Sequence, residues 1–367
     1  MNLTPTAEQT MLTEALDRAL AGVDANRLRD IWGRDHLRTE YGRLAEIGLL
    51  ELIVAACDPD DCHLAEVALV GEALGRHAAI LPVVTSVAFA AVLLERSGAD
   101  PAAVAELTAG STIWSLAASA AGQRDFLAPP ACTLTLDSGR HLLAGRTTHV
   151  DFAAAATGFV VWCATPDGPA IVAVDAAADG VTVEASETLG GAPSGSVSFH
   201  DVEPRAILFT GAAATDALHD AWATVLLLQA GYLAGAAQRL LDLSCDHVLN
   251  RKQFGVPIGT FQAVQHHLAN SKIALDSSQL MVSHTAWLGL HADRLGLAAE
   301  TKAWAAETAV DLARWSHELH GGVGVVDDHE VSLLSRRIIA EATAYGSPRQ
   351  LWATAAALRG RRAGIPA

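Results

Sequence analysis

The stretch NRKQFGVPIGTFQAVQHHLAN (Asn250–Asn270) carries the clearest chemical potential in this 367-residue chain. Arg251 and Lys252 stand a few residues ahead of Phe254 and Gly255, so a small cationic and aromatic corner is expected where one helix stops and another starts. Such a corner suits a single anionic group beside a planar one. Two cations are too few for a nucleic-acid surface, and the formal net charge of −16 sets the overall field against a phosphate backbone. Any anion must be held by local groups. Taken alone, these residues read equally well as a helix-terminal arginine, a buried phenylalanine and turn glycines. Cys57, Cys62 and His63 suggest a metal corner, but no second ligand pair follows, so no metal site is expected. Five cysteines, an odd number spread along the chain, fit a reduced, cytosolic protein.

The elements that position this corner follow from periodicity. The composition is 51% hydrophobic but only 5% aromatic, an alanine-rich balance that favours long helices. From Ala7 to about Gly110, apolar residues recur at three- and four-residue spacing. AACDPDDCH reads as a solvated loop within that region. Between about Thr112 and Phe209, the runs CTLTLD, HLLAG, GFVVWCA, AIVAVD, VTVEAS and SVSFHDV are short, β-rich and separated by Gly, Asp, Pro and Ser. Their spacing of roughly 8–12 residues predicts a small antiparallel barrel or sandwich. Helical period then returns over Asp216–Asn250, Thr260–Leu290, Asp293–His320 and His329–Arg359, four long helices that make a bundle. The fold class is therefore α+β, with a helical domain over residues 1–111, a β-domain over 112–209 and a helical bundle over 210–367. The apolar runs Ala79–Leu94 and Ala223–Ala237 fall short of the ~20 residues that span a bilayer. They read as buried helices. The N-terminus is amphipathic and acidic, unlike a signal or transit peptide.

That order resembles the acyl-CoA dehydrogenase family when RKQFGVPIGTFQAVQHHLA is taken together with LHGGVGVVDDHEVSLLSRRI near the end of the bundle. RLAEIGLLEL and GSVSFHDVEPRAIL are similar to that family's N-terminal region and to the strand leaving its β-domain. The likeness covers nearly the whole chain. An Arg-x-x-Phe-Gly and a His-Gly-Gly-x-Gly at this separation form a specific pair, where either alone is weak. The resemblance implies FAD as cofactor, lying between two subunits, with the Arg–Phe corner of one holding the pyrophosphate and adenosine end of the other's flavin. By position, Arg251 meets the pyrophosphate and Phe254 packs beside the nucleotide. Gly321, Gly322 and Gly324 let backbone approach it. Glu318 stands where the family often has glutamine, and a carboxylate beside a pyrophosphate is unfavourable unless a cation offsets it.

The catalytic half of the family pattern is missing. The family uses a glutamate to remove the α-proton of the acyl-CoA while flavin N5 takes hydride from the β-carbon. In AYGSPRQL, Tyr345 is kept but Gly346 stands where that glutamate belongs. The alternative position, on the first bundle helix, falls near Val225. On the flavin-ring side, Trp114–Gly122 replaces a Thr-Glu-Pro-type stretch, and His149–Asp151 replaces a Trp-Ile-Thr run. Asp327, Asp328 and Glu341 are candidate carboxylates close to Gly346 in sequence. Glu341, five residues earlier, faces away by roughly 140° on a helix and reads as a solvated residue. His149 reads as a surface or hydrogen-bonded histidine.

Retention of the adenosine side and loss of the ring side resemble the non-catalytic companion chain of the heteromeric α2β2 acyl-CoA dehydrogenases of actinobacterial sterol side-chain degradation. GEALGRHAAILPV is similar to such chains. The implied partner is a second acyl-CoA dehydrogenase-like subunit carrying the base, and the implied substrate is an acyl-CoA, with no nucleic acid and no membrane span. A complete homomeric flavoenzyme with altered chemistry and a non-enzymatic scaffold of this fold are the alternatives.

Overall fold

The computed structural model describes residues 5–21, 34–57, 64–119, 128–289 and 294–362. The Cys62–His63 pair and residues 120–122 of the Trp114–Gly122 stretch lie outside them. Backbone contacts divide the chain into two compact units, each built from separated stretches: Met1–Asp30, His63–Ile80 and Leu226–Ala367 form one, Ile31–Cys62 and Leu81–Val225 the other.

The second unit holds helices α2 (Arg34–Glu46), α3 (Leu49–Ala56), α5 (Val92–Ser97) and α6 (Pro101–Thr108), and all the strands of the large sheet. The apolar run expected as an ordinary buried helix is wound as a π-helix over Val83–Ala91 before α5. The strands are β1 (Trp114–Ala117), β2 (Cys132–Asp137), β3 (Arg140–Thr147), β4 (Gly158–Thr165), β5 (Gly168–Asp175), β6 (Val181–Ser186), β7 (Ser194–Val202) and β8 (Ala206–Thr210). They pair in the order β6-β7-β3-β2-β4-β5-β8, with β1 added to β4. The wholly antiparallel sheet expected from the sequence is corrected at β4, which takes both β1 and β2 in parallel. β1 lies along the first half of β4 (Trp114↔Gly158 to Ala117↔Val161) and β2 meets its second half at Cys132↔Cys163, so β4 carries two partners on one edge. One face of the sheet closes over Leu134, Leu143, Phe159, Val161, Val172, Val174, Val197 and Phe199. Phe159 and Phe199 meet edge to face with ring centroids 6.2 Å apart.

The first unit contains α1 (Ala7–Leu20), opened by a capping box in which Thr6 and Gln9 satisfy each other's amides, and α4 (Leu64–Arg76). Helix α7 (Gly211–Asn250) starts in the second unit and runs through the first, followed by a two-residue hairpin, β9 (Lys252–Gln253) with β10 (Val256–Pro257). Helices α8 (Gln262–Leu288), α9 (Arg294–His320), α10 (Glu330–Thr343) and α11 (Pro348–Arg362) complete it. Gly71 and Gly75 of α4 lie directly on the backbone of Leu228 and Tyr232, and Gly231 and Gly235 of α7 on that of Ala68 and Glu72. A methyl group at any of the four would force these helices apart, which gives the GEALG stretch a physical reason.

Two expectations for the bundle are corrected. The hairpin places short strands inside the region read as wholly helical. The single helix expected over His329–Arg359 is two, because Tyr345 (φ 54°) and Gly346 (φ 124°) break the chain between α10 and α11. The wrong reading arises because apolar residues keep helical spacing on both sides of the break.

Candidate functional site

Helix α7 ends at Asn250, and Arg251 follows with its amide donating to the His247 carbonyl (2.8 Å) and its carbonyl accepting from Ile258 (2.8 Å). Those bonds seat the hairpin on the helix end. Phe254 (φ 54°) and Gly255 (φ 83°) form its turn, with positive φ at both central residues. Asn or Gly normally fills the first of these positions, and a bulky ring there is strained. The Phe254 side chain is 93% exposed, touching Phe261 edge to face at 6.2 Å. A buried phenylalanine, the plain structural alternative, is thereby overturned. Arg251 is exposed too, with no ion pair among the described residues.

Helix α9 ends at His320, and a short 3-10 turn, Gly321–Val325, follows. The rings of His247 and His320 lie 4.2 Å apart, so the ends of α7 and α9 adjoin. Arg251, Phe254, Gly321 and Gly322 are thereby gathered at one end of the bundle. The glycines differ in role. Gly321 is left-handed (φ 58°) and exposed, as a residue just past a helix end often is. Gly322 is exposed and meets no atom that demands a glycine, whereas Gly324 is buried because a Cβ there would lie 2.9 Å from the Cβ of His320. The first two can offer backbone to a ligand; the third is explained by packing within the chain. Glu318 is exposed on the last turn of α9.

The ring-side stretches come together in the second unit. The Thr148 amide donates to the Ser119 carbonyl (3.0 Å), and the Ser115 hydroxyl to the Asp151 carbonyl (2.7 Å). The donors of β1 are already used: Trp114 N–H goes to Ser86 Oγ (2.9 Å) and Leu116 N–H to Thr85 Oγ1 (3.0 Å). The Trp114 ring is buried against Gly158. His149 is exposed in a left-handed conformation, its Nδ1 3.1 Å from Thr148 Oγ1. Two backbone donors of β1 and the Ser115 hydroxyl are thus engaged within the chain.

Gly346 and Val225, the two positions at which the resemblance led a base to be expected, are both enclosed. Gly346 is buried, and a Cβ built on it would lie 2.8 Å from Leu351 Cδ2. Its carbonyl, with those of Ala342 and Ala344, accepts from Lys302 Nζ at 2.8, 2.8 and 2.9 Å respectively. Lys302 is 0% exposed, so these contacts give its ammonium three acceptors and offset the unpaired carbonyls at the end of α10. Val225 is fully buried on α7.

Glu341 corrects the sequence reading. It is 8% exposed, paired with Arg337, and accepts from Gln229 Nε2 (2.8 Å). Arg337 also donates to the Tyr232 hydroxyl (3.2 Å), which donates to the Ala79 carbonyl (3.4 Å); burial is the main cause that raises the Tyr232 phenol above its usual range. A carboxylate clamped between a guanidinium and an amide is a structural tie, not a free base. Asp327 and Asp328 are exposed, Asp327 paired with Arg336 (2.6 Å). Neither the Lys302 contacts nor the Gln229–Glu341 bond was signalled by spacing, since their partners lie 40 to 112 positions away. Among the described residues no cluster is arranged to hold a metal ion, and no helix is long and apolar enough to cross a membrane.

Residues 227–356 match the family model described as acyl-CoA dehydrogenase, C-terminal domain. The chain is 28% identical over 128 residues to acyl-CoA dehydrogenase IpdE2 of Mycobacterium tuberculosis, a match covering 35% of this chain and 39% of that protein. It is 28% identical over 268 residues to acyl-CoA dehydrogenase FadE28 of the same organism, covering 72% and 76% respectively. In three dimensions it is similar to a chain in the crystal structure of the ChsE4-ChsE5 complex from Mycobacterium tuberculosis, with a TM-score of 0.84, 25% identity and 100% of each chain covered.

Proposed function

We propose, from the premise that the chain belongs to the acyl-CoA dehydrogenase family, that it is the companion subunit of a heteromeric FAD-dependent acyl-CoA dehydrogenase, completing the partner's FAD site without supplying the catalytic base. The reaction is α,β-dehydrogenation of an acyl-CoA, with a steroid side-chain thioester as the substrate class suggested by the chain's sequence likeness. A cytoplasmic setting goes with this reading. The observation that carries it is Phe254, strained and 93% exposed beside an unpaired Arg251. A chain that bears that strain and leaves the ring in water is shaped for something it does not itself contain. Its likeness to a chain that stands in the ChsE4-ChsE5 complex supports the same reading.

Bound FAD supplies the hydride acceptor of the reaction. This chain's residues fit its nucleotide end: Arg251 offers a charge-assisted donor pair to the pyrophosphate, Phe254 an apolar face to the nucleotide, and Gly321 with Gly322 open backbone. Glu318 opposes a nearby phosphate and needs a cation from elsewhere. The ring end does not fit, because the donors of β1 are engaged internally. With glycine and a buried valine at the two family positions, neither site can abstract the α-proton, a step whose positioned base is worth about 10²–10⁴-fold. The base therefore belongs to the partner.

Co-expression with a base-bearing dehydrogenase chain from the same organism, compared with expression alone, tests this by flavin absorbance. Flavin only in the co-expressed complex is expected. Flavin with the chain alone would favour a homomeric flavoenzyme, and none in either preparation a scaffold.

A further inference from the structure

Behind the Arg251 corner three imidazoles meet from three elements. His320 is buried at the end of α9, with its ring 4.2 Å from that of His247 on α7 and 5.5 Å from that of His329, the residue that caps α10. A fourth, His317, lies one turn back on α9, its Nδ1 buried without a hydrogen-bond partner among the described residues, and packs with His320 against Gly324. Hydrogen bonds fix two of the tautomers. His320 Nδ1 must carry a proton, because it donates to the Ser316 carbonyl (2.8 Å), which leaves Nε2 as the site for a second. His329 Nδ1 accepts from the Val331 amide (3.2 Å), so a proton there would displace the cap and place a cation at the positive end of α10.

We infer that the His247–His320 pair, flanked by His329, is a proton store coupled to the anion held at the Arg251–Gly321 corner, so that a pyrophosphate ligand binds there with uptake of protons. The inference rests on the nucleotide-corner reading above and goes beyond it. Its electrostatic basis is one-sided. Helix α7 brings Arg239, Asp242 and Asp246 to this end of the bundle, and Arg251 follows it. Helix α9 brings His317 and Glu318, and the following turn with α10 brings Asp327, Asp328, Glu330 and Arg336. Arg239 is neutralised by Glu330 (2.6 Å) and Arg336 by Asp327 (2.6 Å), while Glu318 is exposed. What acts on the pair is burial and positive charge. Burial, then Arg251, then His329 lower the His247 value. Burial lowers that of His320 against the opposing Ser316 carbonyl, and His247, His329 and His317 reinforce it.

With their values lowered, His247 and His320 are neutral at pH 7 when the corner is empty. A pyrophosphate on Arg251 cancels the nearest cation and adds negative charge, favouring an imidazolium it disfavoured before. Because the His247 and His320 rings are in contact, the proton belongs to the pair and not to one residue. Two opposite pH trends follow. Depressed values in the folded chain mean that stability is intact above about pH 6.5 and declines as pH falls below it, since the unfolded chain takes protons first. Anion affinity rises over the same range.

Calorimetric titration of the co-expressed complex, stripped of flavin, with ADP-ribose, whose pyrophosphate diester does not titrate here, in two buffers of different ionisation enthalpy, measures the uptake. Expected are net proton uptake at pH 6, close to none at pH 8, and binding roughly five-fold tighter at pH 5.5 than at pH 8 for one imidazole raised by about one unit. His320→Leu should abolish the uptake while the complex still binds at pH 8. If that variant does not fold, His329→Asn, which keeps a capping acceptor, should reduce the uptake instead. Binding without uptake, or uptake undiminished in the variants, overturns the coupling alone. Failure to bind ADP-ribose at every pH overturns the nucleotide-corner reading and the coupling with it.

Discussion

Phe254–Gly255 and Tyr345–Gly346 are both aromatic–glycine turns, and both aromatics sit at φ 54°. Around them the chain does opposite things. At Tyr345–Gly346 three carbonyls close on a buried ammonium and Leu351 packs onto the glycine. Strain there is absorbed by the chain's own interior. At Phe254–Gly255 the ring stands in water on a two-residue hairpin, with an edge contact to Phe261. The same backbone cost is thus structural in one place and directed outward in the other. The chain has closed the Tyr345–Gly346 turn within its own interior and left the Phe254–Gly255 turn open to solvent.

The largest expected effect lies at the closed turn. Lys302→Met removes a buried ammonium from three carbonyls and should destabilise the chain by about 3–5 kcal/mol in chemical denaturation. A loss under about 1 kcal/mol would mean the turn is held by something else. At the open turn, Arg251→Ala should lower FAD retention by the assembled complex about ten- to a hundred-fold, a charge-assisted contact being worth about 1.5–3 kcal/mol, with the melting temperature of the isolated chain unchanged. Unaltered flavin content after dialysis of the complex would remove Arg251 from the site.

Gly346→Glu restores a carboxylate at the family position but puts a Cβ on Leu351 and forces φ 124° on a non-glycine residue. It should cost about 1–3 kcal/mol of stability and give no dehydrogenation by the chain alone, followed as acyl-CoA-dependent reduction of an electron acceptor. Turnover at ordinary dehydrogenase rates would show that the ring side is intact after all. The smallest effect is expected from Phe254→Asn. Asparagine suits this turn, so the isolated chain should gain about 0.5–1 kcal/mol, while the complex holds FAD less tightly. A gain in stability without a loss of flavin would make Phe254 a strained residue with no ligand role.

Much of the fold was legible because its signals are local. VTVEAS and CTLTLD coincide with β6 and β2 residue for residue, since alternation and flanking turn residues mark both ends of a short strand. WSLA was missed as β1: all four residues are buried, so it shows no alternation, and its partner β4 begins 44 positions away. The break at Tyr345–Gly346 was missed for the converse reason, helical spacing continuing across it. At the site, the Arg251–Phe254 and Gly321–Gly324 motifs were visible as residue types. That Phe254 is exposed and Gly324 internally packed was not, because exposure is a property of neighbours.

By itself the sequence determined the helix–strand–helix order, the identity of the corner residues and the lack of an ionisable group at Gly346 and Val225, since composition and period act over a few residues. Only the tertiary structure decided that Glu341 is buried on Arg337 and Gln229, that Lys302 seals the turn after α10, and that His247, His320 and His329 share one contact. Each of these depends on groups far apart in the chain meeting where water is excluded, and there burial and pairing, not residue type, set whether a charge is exposed, tied or ready to take a proton.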